Sequence, residues 1–101
     1  MVKIYVKDQV GRCYSNEDGL VINKIIQSYM VKNEIITISF KGIDGVTSSF
    51  VNTAFIELLN VYDFDKIKKL IRFVDTNSQI NSMIKDRFIF EVNRRNNLVV
   101  I

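Results

Sequence analysis

No histidine and no proline occur among the 101 residues, glycine appears four times, and Cys13 is the single cysteine. One cysteine excludes an internal disulfide. With histidine missing as well, the usual zinc ligand sets and the Cys/His or Ser/His nucleophile pairs are excluded too. Without proline and with so little glycine there is no stretch that would make a flexible linker, so one ordered domain spanning 1–101 is expected. A lone thiol suits a reducing compartment, which makes a cytoplasmic protein the expectation. The opening MVKIYVKDQ carries charges inside its apolar stretch, and no apolar run is long enough to cross a bilayer, so neither a signal peptide nor a membrane span is expected. The glycine-rich fingerprints GxGxxG and GxxxxGK[ST] are both missing, and no nucleotide or other cofactor is expected.

What is present is the composition of an ordinary globular domain, 48% apolar and 25% charged. A chain of this length buries roughly two-thirds of its unfolded surface and folds without covalent staples. The net charge of +3 comes partly from KIKK at 66–69 and from Arg94 and Arg95, but the cations are scattered. Binding to nucleic acid needs a continuous stripe of positive charge or an exposed stacking platform, so it is not expected here.

Along the chain, VKIYV (2–6) alternates and reads as a strand, KDQVG turns, and GRCY is a short extended piece. Ser15 is a candidate N-cap with Asp18 as the acidic half of a capping box, and Glu17 and Asp18 suit the positive end of a helix. Ile22, Ile25, Ile26, Tyr29 and Met30 then form one apolar helical face, with Asn23, Lys24, Gln27 and Ser28 opposite. EIITISF (34–40) reads as a strand buried on both sides, and KGIDG as a turn. FVNTAFIELLNVY (50–62) repeats the helical stripe through Val51, Ala54, Phe55, Leu58 and Leu59. LIRFVD (70–75) is a third strand, and Ile80, Met83, Ile84 and Phe88 mark a third helix. FIFEV (88–92) suits helix or strand, NRRNN a loop, and LVVI (98–101) a terminal strand at the sheet edge. The resulting fold class is α/β: a mixed sheet of about four strands, the central ones parallel with right-handed crossovers, and about three helices mainly on one face.

Paired acids occur as Glu17 with Asp18 and Asp63 with Asp65, both in cap or loop positions rather than as a metal or acid-base site. Cys13 beside Arg12 reads as a half-buried apolar cysteine before it reads as a reactive thiol. The unusual stretch is GVTSSF (45–50), which puts Thr47, Ser48 and Ser49 where a strand hands over to a helix. One hydroxyl, from Thr47 or Ser48, caps the free amides of the first turn. A second reading accounts for the others: a phosphate on Ser48 or Ser49 would sit at the positive end of the helix without melting the fold, and its charge would spoil a docking surface.

ISFKGIDGVTSSF (38–50), with GRCYSNEDG (11–19) upstream and IRFVDTNSQINSMI (71–84) downstream, resembles STAS domains, the anti-sigma factor antagonists. It is most similar to the STAS-like group of unknown function, in which a strand ending in a D/S-F-x-G pattern is followed by T-S-S-F and an amphipathic helix. The resemblance covers most of residues 10 to 88. It implies a noncatalytic module that docks on a protein partner through this turn and the following helix. In anti-sigma factor antagonists a serine just after an aspartate in the turn is phosphorylated by a kinase that doubles as the anti-sigma factor. Ser48 matches that serine, but Thr47 stands in place of the aspartate and Phe50 in place of a following glycine, so docking transfers more directly than phosphorylation. The implied surface comprises Asp44, Thr47, Ser48, Ser49, Phe50, Asn52, Thr53 and Glu57, with Ser48 and Ser49 as phosphoacceptor candidates. The implied partner is a histidine-kinase-type ATPase or an anti-sigma-like kinase. The competing reading is a self-associating module, a homodimer paired through FIFEV and LVVI, whose serines only cap the helix. A serine enzyme acting through Ser48 is a third reading, weakened by the lack of a recognisable base.

Overall fold

A computed structural model of the protein describes residues 2–99. The elements run β1 (Val2–Tyr5), α1 (Val6–Gln9), α2 (Asn16–Met30), β2 (Ile36–Ser39), α3 (Ser48–Ala54), a 3-10 helix (Ile56–Asn60), α4 (Phe64–Leu70), β3 (Ile71–Val74) and α5 (Ser78–Val99). The α/β class is as expected. Among the described residues, however, the sheet has three strands in the order β1-β2-β3, all parallel, rather than about four in a mixed arrangement. Parallel neighbours need a crossover between them. The α1–α2 segment supplies the first, and α3, the 3-10 helix and α4 the second.

Register decides what each sheet face carries. Val2, Ile36 and Ile71 are aligned across the sheet, as are Ile4, Ile38 and Phe73, and these rows form the packed face. Side chains alternate along a strand, so the next rows, Lys3–Thr37–Arg72 and Tyr5–Ser39–Val74, lie on the other face, where Lys3, Tyr5 and Arg72 are exposed. The expectation that 34–40 is buried on both sides is therefore corrected: β2 is covered on one face. Ser39 is enclosed on the other, and its hydroxyl donates to the Asp75 carboxylate at 2.6 Å.

The helix beginning at Ser15 is as the sequence predicts. The Ser15 hydroxyl accepts from the Asp18 amide at 3.1 Å, and the Asp18 carboxylate accepts from the Ser15 amide, a complete capping box. Asn23, assigned to the polar face, is instead buried. Its amide donates to the Ala54 carbonyl at 3.3 Å, and its oxygen accepts from Gln27 at 2.6 Å. At the same crossing Gly19 lets α2 approach α3 closely: a Cβ there would stand 2.8 Å from the Phe50 carbonyl oxygen and 2.9 Å from the Thr53 Cβ.

The run at 50–62 is not one helix. It breaks at Phe55, whose backbone (φ −123°, ψ −45°) leaves the α region, and resumes as the 3-10 helix. The break turns Phe55 edge-on against Phe73, with ring centroids 5.0 Å apart, and against Phe50 at 6.0 Å, an arrangement that stabilises by roughly 0.5–1.5 kcal/mol per pair beyond the burial itself. An extra helix, α4, follows. Asp63 caps it by accepting from the Lys66 amide at 2.8 Å, Asp65 lies in its first turn, and Lys68 and Lys69 in its last, in keeping with the helix dipole. The short extended piece expected at GRCY is a loop.

The C-terminal expectation is also corrected. Of the two alternatives at FIFEV the helix holds, NRRNN, expected as a loop, is helical too, and α5 continues through Leu98 to Val99; the last two residues of LVVI lie outside the described residues. Tertiary contacts override the β-prone composition here. Glu91 takes hydrogen bonds from Arg94 and Arg95 at helical spacing, and Arg95 donates to the Leu59 carbonyl at 3.3 Å and to Asn60 at 2.7 Å, tying α5 to the 3-10 helix. Those two guanidinium groups hold the Glu91 carboxyl below the usual range, chiefly through the Arg94 hydrogen bond and against a smaller opposing effect of burial.

Candidate functional site

The turn between β2 and α3 is fastened on two sides. Toward the loop before α2, the Thr47 amide donates to the Cys13 carbonyl at 3.1 Å and the Thr47 hydroxyl donates to the Tyr14 carbonyl at 2.8 Å. Toward α5, Gln79 holds Val46 with two bonds. Its Oε1 accepts from the Val46 amide and its Nε2 donates to the Val46 carbonyl, each at 2.9 Å. Asn77 donates to the Asp44 carbonyl at 2.8 Å while accepting from the Ile80 amide at 2.9 Å as the cap of α5. The loop is thus held by backbone carbonyls of one distant segment and by side chains of another, which makes the turn a fixed platform rather than a loose connection.

Of the three hydroxyls, one does the capping. Thr47 Oγ1 accepts from the Phe50 amide at 3.2 Å and is the N-cap of α3. Ser48 and Ser49 are exposed on the first turn, and among the described residues their hydroxyls make no hydrogen bond and their backbone amides have no acceptor. The choice between Thr47 and Ser48 as cap is therefore settled for Thr47, which leaves two adjacent hydroxyls and two adjacent N–H groups presented together.

The other expected surface residues divide. Asp44 and Glu57 are exposed. Asn52 and Thr53 are half-buried and engaged within the fold: Asn52 Oδ1 accepts from Arg87 Nε at 2.9 Å, and the Thr53 hydroxyl donates to Asn16 at 3.3 Å. Phe50 is fully buried against Phe55 and contributes to this surface only through the backbone it fixes. Sequence reasoning passed over Tyr14, which is 54% exposed beside the turn and whose carbonyl holds Thr47. It also passed over Asn77 and Gln79. The spacing between 44–47 and 77–79 carries no local pattern, so nothing in the one-dimensional signal joins them.

Between residues 11–14 and 42–45 lies a polar cleft of about 170 Å³. Cys13 lines it through an otherwise buried residue, and burial, with the Asp18 carboxylate adding to it, pushes its thiol up to about 12. A thiol so hard to ionise is a poor nucleophile. Among the described residues no group of three Cys, Asp or Glu side chains is placed to share a metal ion, and no helix is long and apolar enough to cross a membrane. A larger hollow of about 520 Å³ lies away from the turn, where Lys66 and Lys69 of the KIKK cluster face Asn33.

A family model described as a STAS-like domain of unknown function matches residues 20–81, more than half of the chain and a span that includes the whole turn and α3. No curated protein and no solved structure matches the chain.

Proposed function

The chain belongs to the STAS-like domain family of unknown function, and from that membership we propose that it is a noncatalytic regulatory module of the cytoplasm that docks on a protein partner through the platform at Asp44–Ser49 and the exposed side of α3. The observation that carries this reading is the division of labour among the hydroxyls: Thr47 caps, whereas Ser48 and Ser49 stand exposed and uncommitted on a rigid turn. Capping alone accounts for one of the three. Asp44, Glu57 and the exposed ring of Tyr14 extend the same surface.

Serine phosphorylation is the regulatory step of this proposal, and a histidine-kinase-type ATPase or anti-sigma-like kinase is the partner class. A phosphate on Ser48 would meet unpaired amides at the start of α3. α3 spans only Ser48–Ala54, so what it offers a phosphate is mainly the two unpaired amides of its first turn rather than a full helix dipole. The added charge of about −2 would therefore leave the fold intact while changing what the surface accepts. The self-association reading paired FIFEV and LVVI between copies; FIFEV is helical, and the last two residues of LVVI lie outside the described residues.

The test is co-expression with a candidate ATPase-type kinase, purification with ATP and magnesium, and intact mass followed by fragmentation. One phosphate at Ser48 or Ser49 is expected. Ser48→Asp is expected to abolish the complex with an unchanged Tm. A complex indifferent to Ser48→Asp and Ser49→Asp together would refute the switch, and absence of any complex would refute the docking surface.

A further inference from the structure

A second face lies beside β3, where the middle of α5 packs over the sheet edge. β3 is an edge strand: it is hydrogen-bonded to β2 on one side, and among the described residues no strand pairs with its other side. Beside that edge the helix layer forms an apolar groove of about 360 Å³, with Phe64 and Ile67 of α4 on one wall, Phe88 and Ile89 of α5 on the other, and Ile71 and Phe73 of β3 along the sheet side. Phe64 and Phe88 pack at 5.3 Å between centroids, while Ile89 remains 47% exposed and the adjoining Phe90 56% exposed.

Its polar lining is of one sign. Lys68 and Lys85 line the groove, no acidic residue does, and the Lys68 ammonium lies 5.0 Å over the Phe64 ring. On the open sheet face of the same strand stands Arg72. One of its guanidinium nitrogens donates to the Lys68 and Lys69 carbonyls, which leaves its remaining donors free to meet an anion.

We infer that this edge is a second protein-binding site, distinct from the turn, which accepts an extended partner segment as a fourth parallel or antiparallel strand beside β3. The occupant has a stated chemistry: apolar side chains at alternate positions and carboxylates at its ends and outward positions. A strand added at the usual spacing of about 4.8 Å directs every second side chain toward the helix layer, into the groove beneath, and the others toward Arg72. The Phe73 amide and the Ile71 and Phe73 carbonyls, which face the open side of β3, supply the affinity and the apolar groove the register. The lysines and Arg72 select against basic segments.

The experiment uses the full chain, isotope-labelled for NMR, and two synthetic ten-residue probes of alternating valine and threonine, one ended by glutamates and one by lysines. Saturable binding of the glutamate probe is expected, with slowed exchange of the Phe73 amide, because Val74 pairs toward β2 and the Ile71 amide is already held by the Ile67 carbonyl. The lysine probe should bind about tenfold more weakly, and added salt should narrow the gap. Ile89→Asp, at a half-exposed position that leaves the fold unchanged by circular dichroism, is expected to weaken the glutamate probe by at least about tenfold, as burying a lone carboxylate against an apolar segment demands. No saturable binding, binding without protection of β3, or indifference to Ile89→Asp would overturn the proposal. So would sedimentation showing that the edge is already occupied by a second copy of this chain.

Discussion

Replacing Gly19 with alanine tests the helix crossing that carries α3 and its serines. In an isolated helix this change stabilises by about 1 kcal/mol, because alanine is the better helix former. Here the new Cβ would stand 2.8 Å from the Phe50 carbonyl oxygen, 2.9 Å from the Thr53 Cβ and 3.1 Å from the Ala54 nitrogen. Two of those atoms are backbone of a fully packed helix, so relief requires α2 and α3 to move apart. Separation would stretch the Asn23 bond to Ala54 and the Thr53 bond to Asn16, both already 3.3 Å. Overpacking of this kind costs about 1–3 kcal/mol and the lost hydrogen bonds add to it, so after the propensity gain a net loss of about 1–3 kcal/mol is expected. For a domain of this size that is a fall in Tm of roughly 5–20 °C. Gly11→Ala is the internal control, since nothing lies within 4 Å of the Cβ it would add. It should leave Tm unchanged or raise it slightly through the unfolded chain. The assay is thermal and urea unfolding of the three proteins side by side. A Gly19→Ala protein as stable as the parent would refute the close crossing, and with it the placement of Ser48 and Ser49 relative to Tyr14.

Thr47→Ala should destabilise by about 1–2 kcal/mol in urea unfolding, through loss of the cap and of the bond to the Tyr14 carbonyl. Ser48→Ala and Ser49→Ala should each stay within about 0.5 kcal/mol of the parent, and equal losses at all three positions would contradict the assignment of Thr47 as the cap. Cys13 keeps its proton in the folded state up to about pH 12, whereas the unfolded thiol ionises from its ordinary 9.0. The unfolded state therefore binds fewer protons between those values, so this contribution is constant below about pH 9 and is lost as pH rises toward 12, at up to about 1.4 kcal/mol per pH unit. Urea unfolding of the parent and Cys13→Ala at pH 8, 9 and 10 should show the steeper decline in the parent; parallel slopes would refute a buried thiol. Glu91→Gln should loosen α5 from the 3-10 helix by freeing Arg95, seen as faster amide exchange around residues 91–95 with a global cost of no more than about 1 kcal/mol. Its opposite sign of pH dependence follows from a carboxyl held low: the contribution is present above the ordinary carboxylate range and is lost as pH falls through the folded value.

What could be read from the residues was what is local. The Ser15–Asp18 box, the stripe Ile22–Ile26–Met30 and the β-branched run at 36–39 each declare themselves within a few positions, and each stands where expected. The α4 helix was legible too, since Asp63 as cap, Asp65 in the first turn and Lys68 and Lys69 in the last follow the dipole rule. Reading KIKK only as surface charge hid it. The break at Phe55 was not legible, because an aromatic on a helical stripe looks the same whether it continues the helix or leaves it to reach Phe73. Nor was the fate of FIFEV, where β-prone residues are held helical by Arg95 reaching a carbonyl 36 positions away. The site shows the same division. That one hydroxyl of Thr47-Ser48-Ser49 caps the helix follows from position alone. Which one caps depends on the Cys13 and Tyr14 carbonyls, presented by a loop 33 residues upstream, and only once Thr47 is claimed by them are Ser48 and Ser49 released to the surface. The uncommitted state of the two serines is therefore a tertiary property of the turn, so moving the cap is the direct way to alter their availability. In a Thr47→Val protein the bonds to Tyr14 and Phe50 are both lost, and Ser48 is the nearest hydroxyl able to take up the orphan amides. If the proposed phosphorylation holds, a loss of modification at Ser48 but not Ser49 in this variant would show that the division of labour, rather than mere exposure, sets which serine is used.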